Sequence, residues 1–326
     1  MVYLEAKTDL LTDMERTRTV FLPTDLLCIG LNLFFGIVSL FFAGQLQVVL
    51  FGVSLDRELL VGLGLLLSPV LILFLLRLAA RKPGNSVAGF FRLFYVQAFY
   101  ILYFTETIYL SQLISGGASF DPFFAELDRL LFGAEPAVLL PGLLGGAAWF
   151  TELMFFSYFF FYALITVGWW ILFFRGRREA AVKALFITTA SFTILYLWYL
   201  AFPVHGPKYY VPALHNLWYS NFHGYFFTEL MKSLFAHTNL AGAAFPSSHV
   251  AISVVALALN WKQNRFLIPL FLPMTALLFV STVFLYAHYV VDVIAGLIAG
   301  GLLYVLVPRS YPTVTRLAGR INRLLE

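Results

Sequence analysis

The chain has 326 residues, of which 61% are hydrophobic and 12% charged, with a mean hydropathy of +0.85. An ordinary soluble domain carries roughly 25% charged residues, so soluble, disordered and fibrous classes are excluded and an all-α polytopic membrane protein is expected. The net charge of +4 and pI near 9.1 fit basic loops flanking membrane spans rather than a nucleic-acid partner. One cysteine, Cys28, rules out an internal disulfide and a Cys-based metal site.

A spanning helix needs about 20 mostly apolar residues. The hydropathy pattern predicts such helices near residues 24–45, 59–76, 93–113, 153–174, 184–202, 266–287 and 289–307. An eighth, 250–261, is short unless it begins in 245–249. The first span is expected to stay in the protein, because the residues before it mix acids and bases and no signal-type cleavage site follows it. With the N-terminus inside, 17 of the 21 Lys and Arg fall in inner segments, among them Lys7, Arg16, Arg18, Arg81 and Lys82. Only Arg57, Arg129, Lys208 and Lys232 fall outside, a strong positive-inside bias.

Two expected outer loops are long. The first holds an amphipathic stretch, 120–132, with Asp121, Glu126, Asp128 and Arg129 among Phe and Leu, then an apolar run broken by Pro136 and Pro141 that reads as interfacial or re-entrant. The second, 203–244, is aromatic-rich. Four parts follow: a cytoplasmic segment 1–24, accessory helices with the re-entrant segment 25–148, a core 149–308, and a basic cytoplasmic tail 309–326. Glu106, inside the third span, is expected either to be functional, as intramembrane acids are by default, or to sit in a structural hydrogen-bond network with Gln97, Thr105 and Thr107. Gly296 and Gly300 form a face for close helix packing.

All six histidines lie between His205 and His288. His288 and Asp292 are spaced i,i+4, so they share one helix face. A carboxylate there orients the ring, frees its other nitrogen for attack and stabilises the positive ring that forms. Pro246-Ser247-Ser248-His249 opens a helix, where unpaired amides and two hydroxyls make an anion site. His249 beside it can protonate a departing oxygen while His288 attacks in line. His205, His215, His223 and His237 lack metal-ligand spacing, so no metal site is expected.

Pro-Ser-Ser-His followed by Ser-x6-His-x3-Asp resembles the second and third motifs of the type 2 phosphatidic-acid phosphatase superfamily. The wording from Ser281 to Asp292, with Asp128-Arg129-Leu130-Leu131-Phe132-Gly133-Ala134-Glu135-Pro136 upstream, resembles its inositol phosphorylceramide synthase branch. The resemblance implies a helical-bundle phosphatase-like core in the C-terminal half and a phosphohistidine mechanism without metal or cofactor. It makes His288 the nucleophile, Asp292 its orienting carboxylate and His249 the leaving-group acid. Ser247, Ser248 and Thr282 would contact phosphate, Thr282 standing where phosphatases carry Arg. Their first motif, Lys-x6-Arg-Pro, is absent. Gly206-Pro207-Lys208-Tyr209 stands in its place, leaving Lys208 as the phosphate cation, with Tyr209 and His205 as further substrate contacts. The expected partners are a phospholipid donor and a lipid alcohol or water as acceptor, with no protein partner required. Hydrolysis of a lipid phosphate monoester or pyrophosphate is the alternative, and a lipid transporter or flippase the non-enzyme one. The expected location is a bacterial inner membrane with a periplasmic site, or the Golgi with a luminal one.

Overall fold

The computed structural model describes residues 21–50, 53–80, 86–144, 147–236 and 241–324. Lys7, Arg16, Arg18, Arg81, Lys82, His237 and most of the expected N-terminal segment lie outside the described residues. In chain order, α1 (Pro23–Phe41) leads through the antiparallel strands β1 (Gln47–Leu50) and β2 (Val53–Asp56) to α2 (Arg57–Ala80) and α3 (Ser86–Ser115). Two short helices follow, α4 (Asp121–Phe132) and α5 (Pro136–Leu144). Next come α6 (Ala148–Phe159), α7 (Phe161–Leu164), α8 (Val167–Phe174) and α9 (Arg178–Ala201). The second long loop forms α10 (Pro207–Tyr210), α11 (Pro212–Ser220) and α12 (Phe226–Ala236). The chain ends with α13 (Ser248–Gln263), α14 (Ile268–Phe284), α15 (Val290–Leu306) and α16 (Tyr311–Leu324).

Among the described residues, seven helical segments are long and apolar enough to cross a membrane: Pro23–Phe41, Arg57–Leu78, Ser86–Ser115, Ala148–Phe174, Arg178–Ala201, Arg265–Phe284 and Val290–Arg309. Helix α13 is the eighth of the pattern. Its 16 residues reach only about 24 Å at 1.5 Å per residue, and it packs against α14 and α15. The fold is an all-α polytopic membrane protein.

Two features depart from the expected spans. The fourth is not one helix but α6, α7 and α8. At its break, Ile165-Thr166, the Thr166 hydroxyl bonds back to the Tyr162 carbonyl at 2.6 Å, and Asn264 Nδ2, distant in the chain, donates to the Gly168 carbonyl at 3.0 Å. The strands before α2 were not expected either. Asp56 organises that turn, accepting the Leu59 amide at 2.7 Å and the Gly44 amide.

The chain divides into two compact units, Met1–Glu106 with Phe173–Ala190 and Val307–Glu326, and Thr107–Leu172 with Ser191–Leu306. In the first, buried polar groups are paired across helices. Asp25 of α1 accepts two bonds from Arg92, at 2.6 and 3.0 Å, and one from the Tyr95 hydroxyl at 2.8 Å. Glu106 is held by Arg57 at 2.9 Å and by the Ser39 hydroxyl at 2.8 Å, rather than by the neighbours on its own helix that the sequence offered. Arg57 also pairs with Glu58. Helix α16 docks on α1, with Asn322 Oδ1 accepting the Phe21 amide at 2.7 Å.

In the second unit, Gly296 and Gly300 bring α15 against α13. A Cβ at Gly296 would stand 2.8 Å from the Ser247 carbonyl, and one at Gly300 would stand 2.6 Å from that of Ala251. This contact sets the two helix N-termini side by side.

Candidate active site

The first turn of α13 begins at Ser247, whose hydroxyl accepts the Val250 amide at 3.4 Å. The Ser247 amide donates to the Asp292 carbonyl at 3.0 Å, tying the Pro-Ser-Ser-His turn to the start of α15. From α9, the Tyr199 hydroxyl donates to the Pro246 carbonyl at 2.6 Å. Ser247 and Ser248 are buried at a helix end that carries unpaired donors.

The loop from α14 to α15 is folded around Thr282. Its carbonyl accepts both the Ala287 and His288 amides at 3.0 Å, while its hydroxyl donates to the Phe279 carbonyl at 2.8 Å. Tyr286 adopts the left-handed region at φ 61°, which turns the chain towards α15. His288 follows, with Nδ1 at 3.4 Å from Asp292 Oδ2, the oxygen that also accepts the Tyr289 amide at 2.9 Å. The other carboxylate oxygen, Oδ1, has no hydrogen-bond partner among the described residues.

The His249 ring lies between Tyr158 and Phe161, 4.6 Å from each, and 5.9 Å from the His288 ring. Its Nδ1 is buried without a hydrogen-bond partner among the described residues. Burial pushes His288 down to about 4, while the Ala244 carbonyl beside the ring pulls the other way. The ring is therefore neutral at neutral pH, as a nitrogen nucleophile must be.

Gly206 makes the turn before α10, at φ 87°; any side chain there would meet the Ala287 carbonyl. That fit brings Lys208 to the His288 loop, where its amide donates to the Tyr286 carbonyl at 2.8 Å. The ammonium goes elsewhere. It sits 3.4 Å over the Trp218 ring, with Phe235 at 4.5 Å, Tyr209 at 5.2 Å and Tyr219 at 5.3 Å. It has no hydrogen-bond acceptor among the described residues, and burial pushes it down to about 7. Such a cation–π box holds a charge without neutralising it.

His205 and Tyr209 line a neighbouring cavity of about 500 Å³ with Gln112, His215 and Asn216; His249 and His288 do not line it. The structure therefore gathers His249, His288, Asp292, Ser247, Ser248 and Thr282 at one place. It sets His205 and Tyr209 in the cavity beside it, and the Lys208 ammonium in the box.

Sequence reasoning missed what α4 does. Asp121 and Asp128, one heptad apart, lie on its buried face with Phe124 between them. Asp128 accepts the Val290 amide at 2.8 Å and the Val291 amide at 3.0 Å, capping α15 from another helix. Burial pushes the Asp128 carboxyl up against those two amides, which favour its ionised form. Asp121 accepts the amides of His205 at 2.7 Å and Gly206 at 2.8 Å, and the Tyr289 hydroxyl at 3.1 Å. The opposite face of α4 exposes Phe123, Leu130 and Leu131. Its amphipathicity is partly inverted: Asp121 and Asp128 face protein while Phe123 and Leu130 face outward, although Phe124 is buried and Glu126 and Arg129 stay exposed. Glu152 does a similar service for α12, accepting the Phe227 amide at 2.6 Å and the Thr228 amide at 3.1 Å.

The helical bundle thus sets a His–His–Asp cluster between two helix N-termini. The model of the PAP2 superfamily matches residues 123–306, more than half of the chain, which belongs to that superfamily. The match singles out no branch of it. No curated protein and no solved structure gives a significant match. Membership points to a phosphatase-type enzyme in an integral membrane protein.

Proposed function

We propose that the protein transfers a phospho-head group from a phosphodiester lipid to a lipid alcohol, through a phosphohistidine on His288. The observation that carries this is the approach of the His249 and His288 rings to 5.9 Å, with Asp292 3.4 Å from His288 Nδ1. In the first half-reaction, His288 Nε2 attacks phosphorus and the bond to the diacylglycerol oxygen breaks. His249, which burial and the neighbouring His288 push down to about 3, takes up a proton as the anionic phosphate arrives beside it and gives that proton to the departing oxygen. In the second, the acceptor hydroxyl attacks phosphorus, the N–P bond breaks and His249 takes the hydroxyl proton. Asp292 orients the ring and supports its positive charge.

Charge favours a diester. A phosphate monoester brings nearly two negative charges, and each uncompensated one is costly at a boundary of low dielectric. Lys208 is the cation adjoining this loop, whereas Asp121, Asp128 and Asp292 are three buried carboxylates around it. A monoanionic diester suits that balance. Ser247 and Ser248, with the first amides of α13, are assigned to the phosphate oxygens. The cavity lined by His205 and Tyr209 gives room to a polar head group, and the chemistry is that of inositol phosphorylceramide synthases. Positive-inside orientation puts the site on the periplasmic face of a bacterial inner membrane, or on a luminal face.

Purified protein should be assayed on phosphatidic acid and on phosphatidylinositol or phosphatidylglycerol, with and without ceramide or diacylglycerol. The expected result is acceptor-dependent turnover of the diesters. Faster, acceptor-indifferent release of inorganic phosphate from phosphatidic acid would establish the hydrolase instead.

A further inference from the structure

At the far end of α13 from His249 lies a second cavity, of about 450 Å³, opening between α13, α14 and α15. Val254, Leu257 and Ala258 line one wall and Leu272, Ala276 and Phe279 the other. Its buried hydroxyl, on Thr275, already donates to the Phe271 carbonyl at 2.7 Å. Water needs two to four polar partners to settle in such a space, and the walls offer none. An unfilled slot forfeits dispersion contacts along its whole lining. In a bilayer, an apolar slot of this kind takes an acyl chain.

The mouth of the slot is marked chemically. Trp261 and Tyr304 stand there, the aromatic pair expected at head-group depth. Lys262 places its ammonium 5.0 Å over the Tyr304 ring and has no carboxylate partner among the described residues. Arg265 is close by, its Nε donating to the Trp261 carbonyl at 3.3 Å. An apolar slot ending in unneutralised cations complements one kind of molecule. We propose that this groove is a binding site for one anionic phospholipid, with an acyl chain between α13 and α14 and its phosphate on Lys262. The site is separate from the one that handles substrate. It fastens α14 to the far end of α13, the helix whose near end carries His249.

Full-length protein in detergent should be offered dioleoylphosphatidylglycerol and dioleoylphosphatidylcholine at equal concentration and read by native mass spectrometry. One phosphatidylglycerol should be retained, with a preference over phosphatidylcholine of about fivefold for one lysine contact. Lys262→Gln, at an exposed position, should abolish the preference. Ala276→Leu, which fills the slot, should lower retention of both lipids. Equal retention of the two lipids by the native protein would overturn the proposal, as would variants that retain them unchanged. A dimer carrying no lipid would assign the groove to a second copy of the chain instead.

Discussion

Nδ1 of His288 stands 3.4 Å from the Asp292 carboxylate, and the same carboxylate oxygen accepts the amide of Tyr289. The acid thus holds the backbone next to the histidine while facing its ring, whose Nδ1 makes no hydrogen bond among the described residues. Enzyme quenched in acid after mixing with phosphorus-labelled donor should carry an acid-labile, base-stable label. His288→Ala should carry none. His249→Ala should still acquire the label from a donor with a good leaving group. Asp292→Asn should leave the fold in place and slow turnover by about 10³-fold or more, as loss of an orienting carboxylate does elsewhere.

Asp128 caps a helix that it does not belong to, which makes a separable test. Asp128→Ala leaves the Val290 and Val291 amides without acceptors, at a cost of about 1–2 kcal/mol. The expected outcome is a lower Tm together with a lower kcat, since Asp292 sits in the turn that Asp128 anchors. Asp128→Glu should recover part of both. Unchanged kcat at a reduced Tm would confine Asp128 to stability.

Beside His249, pushed down to about 3 in the free protein and charged only as the anionic donor binds, two titrations set the expected pH dependence. His288 is a base only above about 4, so kcat/KM should fall as pH drops through that value. Lys208 keeps its charge only below about 7, so affinity for an anionic donor should weaken as pH rises through 7. Lys208→Arg, always charged, should remove the upper limb. Both side chains bind protons more weakly folded than unfolded. Stability should therefore rise with pH between about 4 and 6.5 on account of His288, and between about 7 and 10.5 on account of Lys208.

Arg57 lies between two buried acids, Glu58 and Glu106. Arg57→Gln leaves those acids without their cation and should cost about 3 kcal/mol. Glu106→Gln leaves Arg57 paired with Glu58 and should cost less, with kcat unchanged in both. Thermal unfolding of the two variants ranks them; the reverse order would show that Glu106 matters for more than charge balance.

Sidedness is tested by labelling. With Cys28 replaced, a cysteine placed in 203–236 should react with an impermeant thiol reagent from outside, and one in 175–183 should not. The opposite pattern would invert the topology and move the site to the other face.

The spans and the His249–His288–Asp292 cluster were legible because their signals are local: runs of apolar residues, an i,i+4 spacing, a Pro-Ser-Ser turn. The Gly296–Gly300 contact was legible for the same reason. What α4 does was not. Its alternation of acids with Phe and Leu reads as a helix wetting its charged face, and only the amides of residues 205, 206, 290 and 291 turn Asp121 and Asp128 inward. Lys208 followed the same rule. Its box comes from Trp218, Tyr219 and Phe235, 10 to 27 residues further on, and no spacing announces it. The break in the fourth span escaped notice because Asn264, which takes the Gly168 carbonyl, is almost a hundred residues away.

The Lys208 ammonium 3.4 Å above the Trp218 indole also has an optical consequence. A charge that close to an indole shifts and quenches its emission, and a phosphate that draws the lysine away removes the perturbation. On the proposed function, Trp218 should then report donor binding, readable by stopped-flow fluorescence before any bond to phosphorus is broken. Replacing Lys208 with Met should silence the change while leaving the other five tryptophans to serve as the constant background.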